Sequence, residues 1–136
     1  MSNLNSKIIL CGGAGLVGQN LVHRLITKGY KNIVVIDKHK KNIRVLKKNY
    51  PNVYIIESDL ATKGSWRDSF DGADVLIMLQ AQIGGKNFKD FEKNNVIATE
   101  NILENYKKYN LSRLVHVSSS VIKSVADDFY TQTKSL

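Results

Sequence analysis

Five short apolar runs, separated by four segments with helical spacing, most constrain what this 136-residue chain can fold into. The apolar runs are residues 7–11, 32–36, 52–56, 74–79 and 114–118. Continuous apolar strands are typical of a parallel sheet covered on both faces. The segments with helical spacing are residues 15–29, 39–49, 62–70 and 88–110. The alternation predicts a doubly wound α/β fold with about five strands and helices on both faces.

A glycine-rich segment, CGGAGLVG at residues 11–18, joins the first predicted strand to the first predicted helix. Gly12, Gly15 and Gly18 follow one another at intervals of three. Gly12 suits a tight turn out of the strand, Gly15 a close backbone approach to a pyrophosphate, and Gly18 close packing of the helix on the sheet. In this strand–turn–helix context the spacing predicts a Rossmann-like dinucleotide site.

The start of the first helix, at Leu16 and Val17, should present backbone N–H groups and a partial positive charge to the phosphates. Asp37 closes the second strand and could accept hydrogen bonds from a ribose diol. The alternative is a flexible turn with an incidental surface aspartate, but the combined context and spacing favour dinucleotide binding. Asp37 would repel a 2′-phosphate, so NAD is favoured over NADP; Lys38 and its basic neighbours keep NADP open.

Composition narrows the class of protein further. The single cysteine, Cys11, excludes an intrachain disulfide and a four-cysteine zinc site, and we expect it to be a small packing residue. The polar N-terminus has no apolar signal core, and no apolar run approaches the about 20 residues of a membrane helix. These features predict a cytoplasmic protein with no metal site and no membrane partner.

Charge is unevenly distributed along the chain. Residues 1–50 contain ten Lys or Arg and one acid, a net charge of +9, while residues 51–136 have a net charge of −1. A basic half can indicate a nucleic-acid partner. Among the basic residues 38–50 only Tyr50 is available for base stacking, so we favour a solvated basic helix face and expect no nucleic-acid partner.

Several motifs in order resemble the extended short-chain dehydrogenase/reductase family, in its NAD-dependent epimerase/dehydratase group. The motifs are CGGAGLVG at 11–18, SDL at 58–60, DVLIMLQAQ at 74–82, NNVIATENIL at 94–103, LVHVSSS at 114–120 and YTQTK at 130–134. Each is weak alone, and their order along one chain carries the resemblance. The resemblance implies further cofactor contacts at Asp59, Leu60, Leu79, Gln80, Ala81, Asn95 and Ser118.

The resemblance also implies a catalytic set. Ser119, with Ser120 as the alternative, would hydrogen-bond the reacting oxygen, and Lys134 would bind the nicotinamide ribose. Tyr130 and Lys134 are four residues apart and so share one helix face. The ammonium and the oxidised nicotinamide would lower the tyrosine pKa, so that Tyr130 could exchange a proton with a substrate hydroxyl during hydride transfer.

The family therefore implies an NAD(P)-dependent epimerase/dehydratase-type oxidoreductase for a nucleotide sugar or a similar secondary alcohol. Epimerisation, dehydration and reduction stay open. Residues 1–136 correspond to a C-terminally incomplete dinucleotide-binding domain without the substrate lobe, so we expect an inactive fragment; the full-length protein would be a homodimer, as family members often are. A non-catalytic dinucleotide sensor is the alternative, which Tyr130 and Lys134 argue against.

Overall fold

The computed structural model describes residues 4–79 and 96–117. Its strands are β1 (Ile8–Cys11), β2 (Ile33–Asp37), β3 (Tyr54–Glu57), β4 (Val75–Met78) and β5 (Arg113–His116). Its helices are α1 (Leu16–Thr27), α2 (Lys40–Asn49), a 3-10 helix (Ser65–Phe70) and α3 (Ala98–Lys108). All five predicted strands are therefore present, each within two residues of the predicted start.

The strands form one parallel sheet in the order β3-β2-β1-β4-β5. The register pairs Ile8 of β1 with Ile33 on one side and with Val75 on the other. The chain thus runs outward from β1 to β3, returns to the other side of β1, and continues to β5. This reversal confirms the doubly wound fold and creates a crevice at the carboxyl end of β1.

Two apolar layers cover the sheet because successive residues of a strand point to opposite faces. Ile8 and Leu10 of β1 belong to the layer that includes Val22 of α1 and Leu46 of α2. Ile9 belongs to the opposite layer, formed with the 3-10 helix and α3. The central strands β1 and β2 are buried at every position, as continuous apolar runs predict. The edge strand β5 is exposed at all four positions.

The structure differs from the predicted helix over residues 62–70. A turn forms first, because the Asp59 carboxylate accepts the Ala61 N–H (3.0 Å) and the Asp59 carbonyl accepts the Thr62 hydroxyl (2.7 Å). The helix then begins only at Ser65 and has 3-10 geometry. Its apolar residues still pack into the core, as their spacing predicts. Trp66 and Phe70 are both fully buried and in edge-to-face contact, with 5.8 Å between their ring centroids.

Removing one methylene from the core should measure this packing. Ile102→Val lies in α3 at a fully buried position, and we expect it to lower the free energy of unfolding by about 1 kcal/mol. Ile26→Val is the control, since it makes the same change in α1 at a residue that is 38% exposed; its cost should stay below about 0.5 kcal/mol. Urea denaturation measures both, and equal costs would contradict the burial described here.

Candidate functional site

The glycine loop leaves β1 through a turn that needs glycine. Gly12 has φ of 77°, a left-handed conformation that other residues rarely adopt. Its N–H donates to the Ile36 carbonyl (2.8 Å), and the Cys11 carbonyl accepts the Leu79 N–H (2.8 Å). The loop therefore begins between the carboxyl ends of β2 and β4, at the crevice that the sheet order creates.

Gly18 allows the first turn of α1 to approach the loop. A Cβ built on Gly18 would overlap the backbone of Gly13, including its carbonyl oxygen. The close approach predicted at Gly18 is thus made to the backbone of the glycine loop, and Val22 of α1 packs on the sheet with Leu10 of β1. At Gly15 a Cβ would meet no atom of the described residues within 4 Å, so these residues leave open space where the sequence predicts a pyrophosphate.

The start of α1 faces that open space. Gly15 is the N-cap and offers no side-chain hydrogen bond to the helix, and the first turn contains no acid. The side chains of Leu16 and Val17 are 80% and 62% exposed. The uncapped N–H groups and the helix dipole give this turn a positive potential. Such a helix start can bind a phosphate group.

The carboxylate of Asp37 holds the loop from the neighbouring strand. Its Oδ2 accepts the Ala14 N–H (3.1 Å), and its Oδ1 accepts the N–H groups of Lys38 (2.7 Å) and His39 (3.0 Å). Asp37 is only 6% exposed. These bonds occupy three of about four acceptor positions of a carboxylate, and Oδ2 retains room for another donor.

Cys11 is a packing residue at this edge, as predicted. It is free and fully buried. Burial, and to a lesser degree the charge of Asp37, raises the pKa of its thiol far above the ordinary value. Because the thiolate is the nucleophilic form, this side chain is unreactive at neutral pH.

The loop after β3 approaches the same edge. The Ser58 N–H donates to the Asp37 carbonyl (2.9 Å), which fixes the end of β3 beside the end of β2. Asp59 follows at half-buried exposure, while the Leu60 side chain belongs to the core. Four predicted positions thus lie at one edge of the sheet, at the carboxyl ends of four adjacent strands. Asp37 is the last residue of β2, and Gly12, Asp59 and Leu79 come one or two residues after β1, β3 and β4.

Other predicted site residues lie outside the described part of the chain. They are Gln80, Ala81, Asn95, Ser118, Ser119, Tyr130 and Lys134. Their assignments stay predictions from the sequence.

Two contacts that support the site were not selected from the sequence. The Gln19 side chain donates to the Ala14 carbonyl (2.8 Å) and so braces the glycine loop from α1. The buried Asn101 side chain of α3 donates to the Leu60 carbonyl (3.0 Å) and holds the loop that bears Asp59. Asn101 lies in the motif at 94–103. The position of this polar residue beside the apolar Ile102 was the one sequence feature that could have indicated a buried hydrogen bond.

Comparison with known proteins agrees with this geometry. A model of the NAD dependent epimerase/dehydratase family matches residues 8–135. The chain belongs to that family. A putative UDP-glucose 4-epimerase of Methanocaldococcus jannaschii is 32% identical over 120 residues, 82% of this chain and 37% of the relative. A dTDP-D-glucose 4,6-dehydratase of Dictyostelium discoideum is 34% identical over 131 residues, 85% of this chain and 29% of the relative.

A solved family structure has the same fold. The UDP-glucuronic acid 4-epimerase of Bacillus cereus in complex with NAD superposes with a TM-score of 0.80 at 25% identity, covering 94% of this chain and 48% of that one. The chain therefore spans about a third of the length of its curated relatives and about half of this structure. The family resemblance and the predicted fold class are confirmed.

The described residues contain neither a metal-binding cluster nor a membrane-spanning helix. Among residues 4–79 and 96–117, no group of three or more His, Cys, Asp or Glu side chains is arranged to hold a metal ion. No helix in those ranges is long and apolar enough to cross a bilayer.

A matched pair of glycine substitutions tests the loop geometry. Gly18→Ala places a methyl group against backbone, which cannot move aside like a flexible side chain, and we expect a loss of about 2 kcal/mol or more in the free energy of unfolding. Gly15→Ala meets open space at φ of −74°, so it should cost less than about 1 kcal/mol. Urea denaturation compares the two, and a Gly15 cost equal to that at Gly18 would refute the described approach of α1 to the loop.

Proposed function

We propose that this chain binds NAD as the cofactor-binding part of an epimerase/dehydratase-type oxidoreductase. The observation that carries the proposal is the Asp37 carboxylate, which fixes the glycine loop and retains an acceptor position on Oδ2. A ribose hydroxyl is the donor that this position suits. The residues present therefore fit the adenosine half of a dinucleotide.

The pyrophosphate would lie over the loop. Open space beside Gly15 admits the phosphates, and the first turn of α1 supplies N–H donors without a competing acidic side chain. The exposed side chains of Leu16 and Val17 flank that position, and a bound cofactor would remove part of their apolar surface from water. The loop needs no rearrangement for this, because Asp37 and Gln19 already hold it at Ala14.

Asp37 also determines the choice between the two dinucleotides. A 2′-phosphate would come beside a carboxylate that backbone donors hold in place, and the two negative charges would repel. Lys38 and His39 direct their backbone N–H groups at the same carboxylate, so these two N–H groups bind Asp37 rather than a phosphate. NAD is therefore favoured over NADP.

The parent activity is proposed from family membership and the sequence motifs. NAD supplies a hydride acceptor when it is bound. Tyr130 would take the proton of a substrate hydroxyl, and Ser119 would hydrogen-bond the reacting oxygen. Lys134 would lower the pKa of the Tyr130 phenol and bind the nicotinamide ribose. The substrate we propose is a nucleotide sugar, supported by the relatives named for UDP-glucose and dTDP-D-glucose. A homodimer of the full-length protein stays a prediction.

Removing the Asp37 side chain tests the cofactor assignment. We expect Asp37→Ala to raise the Kd for NAD by at least about tenfold, since a carboxylate hydrogen bond is worth about 1.5–3 kcal/mol. The preference for NAD over NADP should fall as well, because the repulsion of the 2′-phosphate is removed. Isothermal titration with both dinucleotides measures these changes.

The matched control is Asp68→Ala, which removes an exposed acid from the 3-10 helix and leaves the glycine loop untouched. It should change the Kd for NAD by less than about twofold. A thermal unfolding scan of each variant separates loss of the fold from loss of the site. Unchanged NAD affinity in a folded Asp37→Ala variant would contradict the proposal.

The 136-residue polypeptide itself should bind NAD without turning over a sugar nucleotide. The region that matches its relatives makes up about a third of their length, and catalysis depends on positioning at the scale of about 1 Å. Incubation with NAD and UDP-glucose, followed by chromatography for a 4-epimer or a dehydrated product, measures this. Sustained product formation would show that the 136 residues suffice for catalysis.

A further inference from the structure

A groove lies at the edge of the sheet opposite the glycine loop. It has a volume of about 500 Å³ and is lined mainly by the connections from α1 to β2 and from α2 to β3. Ile26, Ile33 and Val53 give it an apolar floor, and Tyr30 and Tyr50 form half-buried walls. These connections precede the amino ends of β2 and β3, whereas the cofactor residues follow carboxyl ends. The groove is thus separate from the proposed NAD site.

Exposed cations without acidic partners lie on and just after the two helices whose following connections line this groove. The exposed residues Arg24, Lys28 and Lys31 follow one another along and after α1, and Arg44, Lys47 and Lys48 follow along α2; we call these six residues the basic α1–α2 face. Lys31 itself lines the groove. Within the described part of the chain, no carboxylate oxygen lies within 4.0 Å of any of these six cations. The face therefore attracts anions.

The charge on α2 serves the stability of the helix only in part, since Lys47 and Lys48 lie in the last turn, where the helix dipole favours cations. The helix begins with Lys40 and Lys41 and has no acid in its first turn, although the helix dipole favours negative charge there. Arg44 is four residues from both Lys40 and Lys48, a spacing at which like charges repel. The helix dipole accounts for Lys47 and Lys48 but not for Arg44, and binding of a negatively charged partner would account for a cation at that position.

Two features of the groove and of α2 argue against a nucleic acid or a membrane as the partner. The Tyr50 hydroxyl is hydrogen-bonded to His23 Nδ1 (3.0 Å), which joins α1 to the residue that follows α2. This contact makes Tyr50 a fixed wall rather than an open platform for stacking a nucleic-acid base. The exposed side of α2 carries one large exposed apolar residue, Val45, and so lacks the apolar stripe with which a helix enters a membrane surface.

We propose that the basic α1–α2 face docks an acidic polypeptide segment, which inserts an apolar side chain into the groove. Glutamates or aspartates of the segment would lie along the two rows of cations. One aliphatic or aromatic side chain would occupy the floor between Ile26, Ile33 and Val53 and would bury apolar surface on both partners. The charges would speed association and fix direction, and the anchor would set the rate of dissociation.

The proposal is tested with a fluorescein-labelled oligoglutamate peptide that carries a single phenylalanine, titrated with the whole chain and followed by anisotropy. The double variant R44E/K48E should weaken binding at least about tenfold. The control K107E/K108E makes the same charge change on two exposed lysines of α3, against the opposite face of the sheet, and should weaken binding less than about threefold. Equal weakening by both variants would overturn the proposal, because net charge alone would then explain binding.

The groove is tested separately by the same peptide without phenylalanine. It should bind at least about fivefold more weakly to the unaltered chain, and Ile26→Gln, which makes the groove floor polar, should abolish that difference. No difference between the two peptides would overturn the anchored docking. Duplex DNA or phosphatidylserine vesicles that bind more tightly than the peptide, and lose binding on R44E/K48E, would also overturn it in favour of a nucleic-acid or membrane surface.

Discussion

The carboxylate of Asp37 is the interaction on which the site depends. It lies at the end of a buried strand and gathers the backbone N–H groups of Ala14, Lys38 and His39. A buried charge is stable only when donors satisfy it, and the glycine loop provides one of them. The same contact therefore stabilises the charge, fixes the loop and leaves an acceptor position on Oδ2 for the proposed ribose. Its loss would affect the fold and the cofactor site together.

The strands and the glycine loop could be predicted from the sequence, because they depend on the hydrophobicity and backbone preferences of neighbouring residues. Apolar runs located every strand of the described sheet, and Gly12 and Gly29, both at positive φ, stand where the chain must turn. The glycine spacing placed the loop at a strand end. The acidic residue predicted to close the second strand, Asp37, lies at the carboxyl end of β2, at the same edge of the sheet.

Interactions between distant residues were harder to predict. The spacing of Gly18 indicated a close approach but not the atoms approached, which belong to the backbone of Gly13. The helical pattern over residues 62–70 placed Trp66 correctly in the core, but the side chain and carbonyl of Asp59 form a turn that delays the helix. Asn101 binds a carbonyl 41 residues away, and no periodicity in the sequence contains that information.

The two ends of the sheet have different chemistry. At the carboxyl end, a helix start and a carboxylate arrange hydrogen-bond donors and acceptors around open space. At the amino end, the connections that follow α1 and α2 line an apolar groove, and these two helices carry most of the basic α1–α2 face. The basic half of the sequence thus contributes to both ends: its glycine loop forms part of the proposed NAD site, and its helices form the proposed docking surface.

A titration of the ¹⁵N-labelled chain with NAD, followed by two-dimensional NMR, tests the central assignment most directly. The amide signals of Leu16, Val17 and Gly18 should move together with that of Ala14 and saturate at one Kd, because they surround the proposed pyrophosphate. The amides of Lys107 and Lys108, at the end of α3, should stay in place. Saturating shifts confined to residues away from the glycine loop, or no shifts at millimolar NAD, would contradict the assignment of this loop as the cofactor site.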